Sequence, residues 1–124
     1  MAVSRSEKLS RLLKGLSTTT PDIEGAAVID NDGLMIASAL QQDSNDDSVA
    51  AMSAALLGLS ERIVSELQRG SFEMVMIRGD AGFVILTRSG PEAVLAALAS
   101  ESAKLGLIFL DVSRAAKEIA RLLG

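Results

Sequence analysis

The chain has 124 residues, a net charge of −4, and no Cys, His, Tyr or Trp. Without Cys and His, the chain has no disulfide, no thiolate or imidazole metal site and no histidine acid–base catalyst. The acidic balance argues against a nucleic-acid partner, because such a partner requires a basic surface.

Near the start, leucines recur at the spacing of one helix face, which predicts an amphipathic helix over Ser6–Leu16 with Ser6 as its N-cap. Two apolar runs follow, and they predict strands over Gly25–Ile29 and Leu34–Leu40. The turn between them, Asp30-Asn31-Asp32-Gly33, ends in a glycine that adopts positive φ without strain. Both strands are apolar on both faces, which indicates a sheet with helices on each side.

A polar loop, Gln41 to Asn45, leads into the next helix. Its segment Asp43-Ser44-Asn45-Asp46-Asp47 resembles the start of an EF-hand, but Ser48 and Ala54 stand where that loop requires Gly and Glu. We therefore expect no calcium site. Asp46 and Asp47 are instead predicted to cap the N-terminus of a helix and to complement its dipole.

The long helix is predicted over Asp46–Gln68, and two stripes run along it. The main stripe is apolar and consists of Val49, Met52, Leu56, Leu59, Ile63 and Leu67. A shallower stripe carries small residues, with Ala50, Ala54 and Leu57 beside it, and consists of Ala51, Ala55, Gly58 and Arg62. Small residues at this spacing allow close approach by another backbone, either this chain's own sheet or the same helix of a second copy.

A second hairpin is predicted from strands over Phe72–Arg78 and Gly82–Thr87. The glycines between them, in Gly79-Asp80-Ala81-Gly82, join two strands rather than opening a helix, so they indicate a turn and not a phosphate-binding loop. The run EAVLAALAS after Pro91 is ambiguous, since its propensity favours a helix and its length allows a strand. An amphipathic helix closes the chain, with cationic residues in its last turns.

This order of elements resembles the Roadblock/dynein-light-chain family, and most closely its prokaryotic single-domain regulators of small Ras-like GTPases. The matching pieces are GAAVIDNDGLMIAS, AAMSAALLGLSERIV, GFVILT, VLAALAS and KLGLIFLDVSRAAKEIARLL, which together extend from about Leu9 to Leu123. The resemblance implies that EAVLAALAS is the fifth strand of an α+β domain. It implies the order αββαβββα over residues 1–124, with an antiparallel five-stranded sheet and helices on both faces.

The resemblance also implies a homodimer, in which the third strands pair and the long helices lie side by side. Independently, a chain of this size with 48% hydrophobic residues is expected to leave apolar surface that a second copy covers. The implied dimer interface contains Ala51, Ala55, Gly58, Arg62, Phe72, Met74, Val75, Met76 and Ile77. The implied docking surface for a GTPase contains Ala54, Leu57, Glu61, Arg62 and Arg69.

By this resemblance, the chain is expected to be a non-enzymatic regulator or scaffold that binds a small Ras-like GTPase and modulates its GTP/GDP cycle. The alternatives are a structural adaptor whose binding ignores the nucleotide state and, less favoured, a small-ligand sensor. We expect no cofactor, no catalytic residue and no metal. No apolar run approaches the ~20 residues of a membrane span and the start shows no signal peptide, so a cytoplasmic protein is expected.

Overall fold

A computed structural model describes residues 4–40 and 44–124 of the chain. Within these described residues, three helices and five strands follow one another in the order αββαβββα. The helices are α1 (Arg5–Thr19), α2 (Asp46–Glu66) and α3 (Leu105–Leu123). The strands are β1 (Ile23–Asp30), β2 (Met35–Ala39), β3 (Met74–Gly79), β4 (Gly82–Ser89) and β5 (Ala93–Ser100).

All five strands form one antiparallel sheet in the order β2-β1-β5-β4-β3. The central strand β5 is the run that sequence left ambiguous. It pairs with β1 on one side and β4 on the other, and its residues from Ala93 to Ala97 are all buried. Burial between two neighbours and two layers of helix therefore outweighs the helical propensity of its Ala and Leu.

Successive side chains along the strands enter two cores on opposite faces of the sheet. One core lies beneath α1 and α3 and contains Leu13, Val28, Leu95 and Ile119 among its eighteen buried residues. The other lies beneath α2 and consists of six buried residues: Ile29, Ala50, Leu57, Leu86, Val94 and Ala96. Helices thus cover both faces of the sheet, as the sequence predicted.

The Asp30 side chain stabilises the first hairpin turn, which lies where the sequence predicts it. The Asp30 carboxylate accepts hydrogen bonds from the backbone N–H groups of Asp32 and Leu34, at 2.9 and 3.0 Å. Gly33 has φ +83°, and a Cβ there would lie 3.2 Å from the Ala51 Cα. The glycine is therefore required both by the turn and by the approach of α2.

The predicted ends of α1 were wrong. The helix begins earlier than the sequence suggested, because the Ser4 side chain rather than Ser6 accepts the N–H of Glu7, at 3.1 Å. It continues to Thr19, since the hydroxyls of Thr18 and Thr19 bond to carbonyls one turn back instead of ending the helix.

The cap of α2 also differs from the prediction. The Asn45 side chain accepts the N–H of Ser48 at 3.1 Å, while Asp46 and Asp47 occupy the first turn and complement the dipole. Residues 41–43, which include the start of the EF-hand-like segment and most of the polar loop, lie outside the described residues. Strand β3 begins at Met74, two residues later than predicted, and Phe72 packs against the core beneath α2 from the preceding loop.

Candidate protein-docking surface

The side of α2 that faces away from the sheet is apolar. Met52, Leu59 and Ile63, here named the outward face, are 64%, 55% and 57% exposed. They belong to the main apolar stripe that the sequence predicts for the helix, and periodicity alone did not assign that stripe to the sheet or to solvent. The buried residues of α2 are Ala50, Ser53 and Leu57, whose mostly small side chains let the helix lie close to the sheet.

The stripe of Ala51, Ala55, Gly58 and Arg62, here named the small-residue stripe, is also open. Ala51 and Ala55 are exposed, and a Cβ added at Gly58 would meet nothing within 4 Å. The backbone of Ala51 does touch another element, the turn at Gly33. Of the two alternatives for this stripe, packing against the chain's own sheet is therefore excluded at Gly58. The second alternative, another copy of the helix, stays a prediction.

Strand β3 forms one edge of the sheet and pairs only with β4 among the described strands. Val75 packs against the core beneath α2, and Met74 packs against the core on the opposite face. Met76 and Ile77 are exposed large hydrophobic residues. An open edge with apolar side chains and no proline is well suited to pairing with another strand.

The predicted docking residues separate into two groups. Leu57 is 1% exposed in the core beneath α2, so its assignment to a docking surface was wrong. Ala54 is half-buried and packs against the same core. Glu61 forms an ion pair with Arg88 of β4, in which Oε1 and Nη2 lie 2.6 Å apart, so its carboxylate is already paired within the chain.

The arginines of the predicted docking surface do face solvent. Arg62 lies 4.0 Å from Glu66, with both side chains 75% exposed, a separation at which an ion pair contributes little. Arg69 lies just beyond α2, and its Nε donates to the Leu67 carbonyl at 3.1 Å. These two guanidinium groups are available to an acidic partner surface.

The end of α2 is a Schellman motif without its usual glycine. The Arg69 N–H donates to the Val64 carbonyl at 2.9 Å, and the Gln68 N–H donates to the Ser65 carbonyl at 3.1 Å. Gln68 holds the left-handed position, with φ +54°. This motif directs the chain away from the helix axis towards the start of β3.

The described residues offer little for small-molecule or metal chemistry. Across residues 4–40 and 44–124, no group of three or more acidic side chains is placed to hold a metal ion. The cleft of about 440 Å³ near the first hairpin turn includes no residue of α2 and is lined by Arg5, Asp30, Asn31, Asp32, Ile36, Glu92 and Leu123.

The helix α2 is long and apolar enough to cross a membrane, judged by length and composition only. Of the 18-residue stretch that fulfils this criterion, 17% is buried. This is weak evidence for a span, because core helices and signal sequences pass the same test. Three of the large apolar side chains of α2, Met52, Leu59 and Ile63, lie on the outward face.

Sequence reasoning missed the outward face and the ion pair between Glu61 and Arg88. The signal for the first was present, because the large apolar stripe and the small-residue stripe together surround most of the helix, and a single sheet can cover only one side. Nothing in the sequence indicated that Glu61 and Arg88, twenty-seven residues apart, would meet.

Known proteins resemble this chain both in sequence and in fold. The Methanocaldococcus jannaschii protein MJ1340 is 36% identical over 111 residues, which is 90% of this chain and 96% of that protein. A structure of MglB with a tetrameric arrangement matches with a TM-score of 0.86 at 21% identity, covering 98% of this chain and 92% of that chain. The gliding protein MglB from Thermus thermophilus matches with a TM-score of 0.84 at 21% identity, covering 98% and 93%.

The structural matches show the same fold, and they confirm the five-stranded antiparallel sheet that the resemblance implied. The family model of the Roadblock/LC7 domain matches residues 9–99, which is most of the chain. Together with the identity to MJ1340, this match shows that the chain belongs to the Roadblock/LC7 domain family.

Proposed function

We propose that the chain is a homodimeric, non-enzymatic regulator or scaffold that binds a small Ras-like GTPase and modulates its GTP/GDP cycle. The observation that carries this proposal is the outward face of α2, where Met52, Leu59 and Ile63 are each more than half exposed. Contiguous exposed apolar surface marks a place where another protein binds. The resemblance to prokaryotic Roadblock regulators supplies the class of partner, and this step is an analogy.

The homodimer is proposed from two open features. The edge of β3 exposes Met76 and Ile77, and the small-residue stripe at Gly58 has room for a second backbone. A two-fold axis that pairs β3 with its copy would extend the sheet and bring two α2 helices onto one face of it. The tetrameric arrangement of one MglB structure supports self-association as a property of this fold.

The GTPase is proposed to dock on the outward face, with Arg62 and Arg69 at its border. Of the other residues in the predicted docking set, Ala54 is half-buried, Leu57 is buried and Glu61 is paired with Arg88. The exposed residues of the outward face take their place in the proposed docking surface. Apolar residues at the centre and arginines at the rim are the composition that protein interfaces favour. We propose cytoplasmic action, where such GTPases cycle.

The proposed regulator acts through affinity rather than through a catalytic group of its own. A partner shifts a GTPase between nucleotide states only by as much as its affinities for the two states differ. Arg62 and Arg69 are interpreted as surface arginines and not as groups inserted into the GTPase site. An Arg62→Ala variant that binds normally but no longer stimulates hydrolysis would contradict that interpretation.

The proposal is tested by affinity capture from the native cell extract, once with GDP and once with a slowly hydrolysed GTP analogue. We expect one small GTPase to be enriched in one nucleotide condition, and we expect an Ile63→Glu bait to lose it. Equal enrichment in both conditions would favour the structural adaptor. Recovery of no GTPase would contradict the proposed partner.

A further inference from the structure

Arg88 of β4 connects the sheet to α2 through two charge-assisted contacts with Glu61. Its Nη2 lies 2.6 Å from Glu61 Oε1, and its Nε donates to Glu61 Oε2 at 3.3 Å. The two side chains are 26% and 37% exposed, so the pair is partly shielded from water. Two parallel contacts fix the orientation of both groups, which a single contact does not.

The same guanidinium also reaches the first hairpin turn. Its Nη1 donates to the Asn31 side-chain oxygen, and the Asn31 amide in turn donates to the Pro91 carbonyl at 2.9 Å. Pro91 lies between β4 and β5. Arg88 therefore links α2 directly to the turn between β1 and β2 and, through Asn31, to the turn between β4 and β5.

The link through Arg88 matters because α2 buries few residues against the sheet. Only Ala50, Ser53 and Leu57 of the helix are buried, and two of these three side chains are small. Ala54 and Leu56 add half-buried contacts, but α2 has less buried apolar packing to fix its rotation and position than a helix with a wide buried face. A second support exists near the other end, where the turn at Gly33 lies against the backbone of Ala51.

We propose that Arg88 is a positioning residue, which holds α2 in one orientation on the sheet and so presents the outward face to a partner. The clamp of Arg88, Glu61 and Asn31 acts in the free protein. Only its consequence for GTPase binding rests on the function proposed above.

The test is amide hydrogen exchange on the full chain, compared among Arg88→Met, Glu61→Gln and the double variant. We expect each single change to speed exchange in α2 by about three- to tenfold, and the double variant to be no faster than Arg88→Met. Exchange in β1 and β5 should stay unchanged. Arg88→Lys, which keeps the charge but loses the paired contact, should fall between wild type and Arg88→Met.

The matched control is Arg121→Met. Arg121 also pairs with a glutamate, Glu118, but both belong to α3 and the arginine side chain is 75% exposed. This change should leave exchange in α2 as it is. Light scattering on the same samples verifies that the variants are compared at one oligomeric state.

Two results would overturn the inference: exchange in α2 that Arg88→Met leaves unchanged, or single effects that simply add in the double variant. If Arg88→Met does not fold, the wild type is measured at low and high salt instead. Screening of the ion pair should then speed exchange in α2 more than in β5, and equal effects would overturn the inference.

GTPase affinity is measured last, and it separates the two proposals. Faster exchange in α2 with weaker GTPase binding supports both. Faster exchange in α2 in a protein that binds no GTPase, even as wild type, supports the clamp and contradicts the proposed function. Unchanged exchange overturns the clamp, whatever the binding result.

Discussion

The two faces of the sheet are built in different ways. Among the residues that the structure describes, the face beneath α1 and α3 has eighteen buried residues in one cluster, with large side chains from both helices and from the strands. The face beneath α2 has six, and α2 itself contributes only Ala50 and Leu57 to them. The first face is closed by two helices, whereas the second is covered by one helix whose far side is again apolar.

This difference separates stability from association. Most of the apolar burial that stabilises the fold belongs to the α1/α3 face, so that face tolerates little change. The α2 face keeps its large apolar side chains on the outside, where they gain nothing until a partner covers them. We therefore expect variants on the α1/α3 face to lose stability and variants on the exposed side of α2 to lose association.

The largest effect is expected from the closed face. Leu13 is fully buried in the cluster beneath α1 and α3, so Leu13→Ala should lower the free energy of unfolding by about 2–5 kcal/mol. Urea denaturation measures this loss. The protein that stays folded should keep the association state of the wild type, and a selective loss of association would contradict the division between faces.

The next effect concerns association alone. Gly58→Glu places a charge in the small-residue stripe, where a Cβ has open space in the single chain. The monomer should fold as well as before or better, since glutamate favours helix more than glycine does. The dimer should weaken by about a hundredfold in Kd, because the charge would be buried without a partner.

The control for this change is Gly15→Glu in α1, a helical glycine that also has nothing within 4 Å of an added Cβ. It should leave the dimer intact. Light scattering over a dilution series gives the mass of both variants. A Gly58→Glu protein that remains a dimer at every concentration would show that the small-residue stripe is not the interface.

A smaller effect is expected at the sheet edge. Ile77 is exposed on β3, so Ile77→Lys should preserve the fold while weakening the proposed strand pairing by about tenfold in Kd. Leu34→Lys, at an exposed apolar residue beyond the first turn, is the matched control. Similar losses from both changes, measured by sedimentation equilibrium, would argue against pairing through β3.

Sequence reasoning reached the architecture because its signals are local. The turn at Gly33 and the turn between Gly79 and Gly82 are each specified by a few neighbouring residues, and the structure has both. The strand β5 was beyond local reasoning, since its Ala and Leu favour helix and only its central place in the sheet decides otherwise. The family resemblance supplied that placement.

The candidate site was predicted less well, for a physical reason. Helical periodicity shows which residues of α2 share a side, but it does not show which side meets the sheet when two sides are apolar. The family resemblance placed Leu57 in the docking surface, whereas Leu57 is buried and Ile63 of the main apolar stripe is exposed. The ion pair of Glu61 with Arg88 depends on how the helix crosses the sheet, which no local pattern encodes.

The smallest effect is expected at the end of α2. Gln68 holds a left-handed conformation, φ +54°, in which a side chain is strained and glycine is not. Gln68→Gly should therefore raise the free energy of unfolding by about 0.5–1 kcal/mol, as judged from urea denaturation. Because Gln68 is exposed and lies beyond the helix, binding through the outward face should be unaffected.

Gly70 also has positive φ, +88°, with open space around it, so Gly70→Gln is the reciprocal change and should destabilise the protein by a comparable amount. A loss of stability in Gln68→Gly would mean that the glutamine side chain contributes more to the end of α2 than its backbone strain removes.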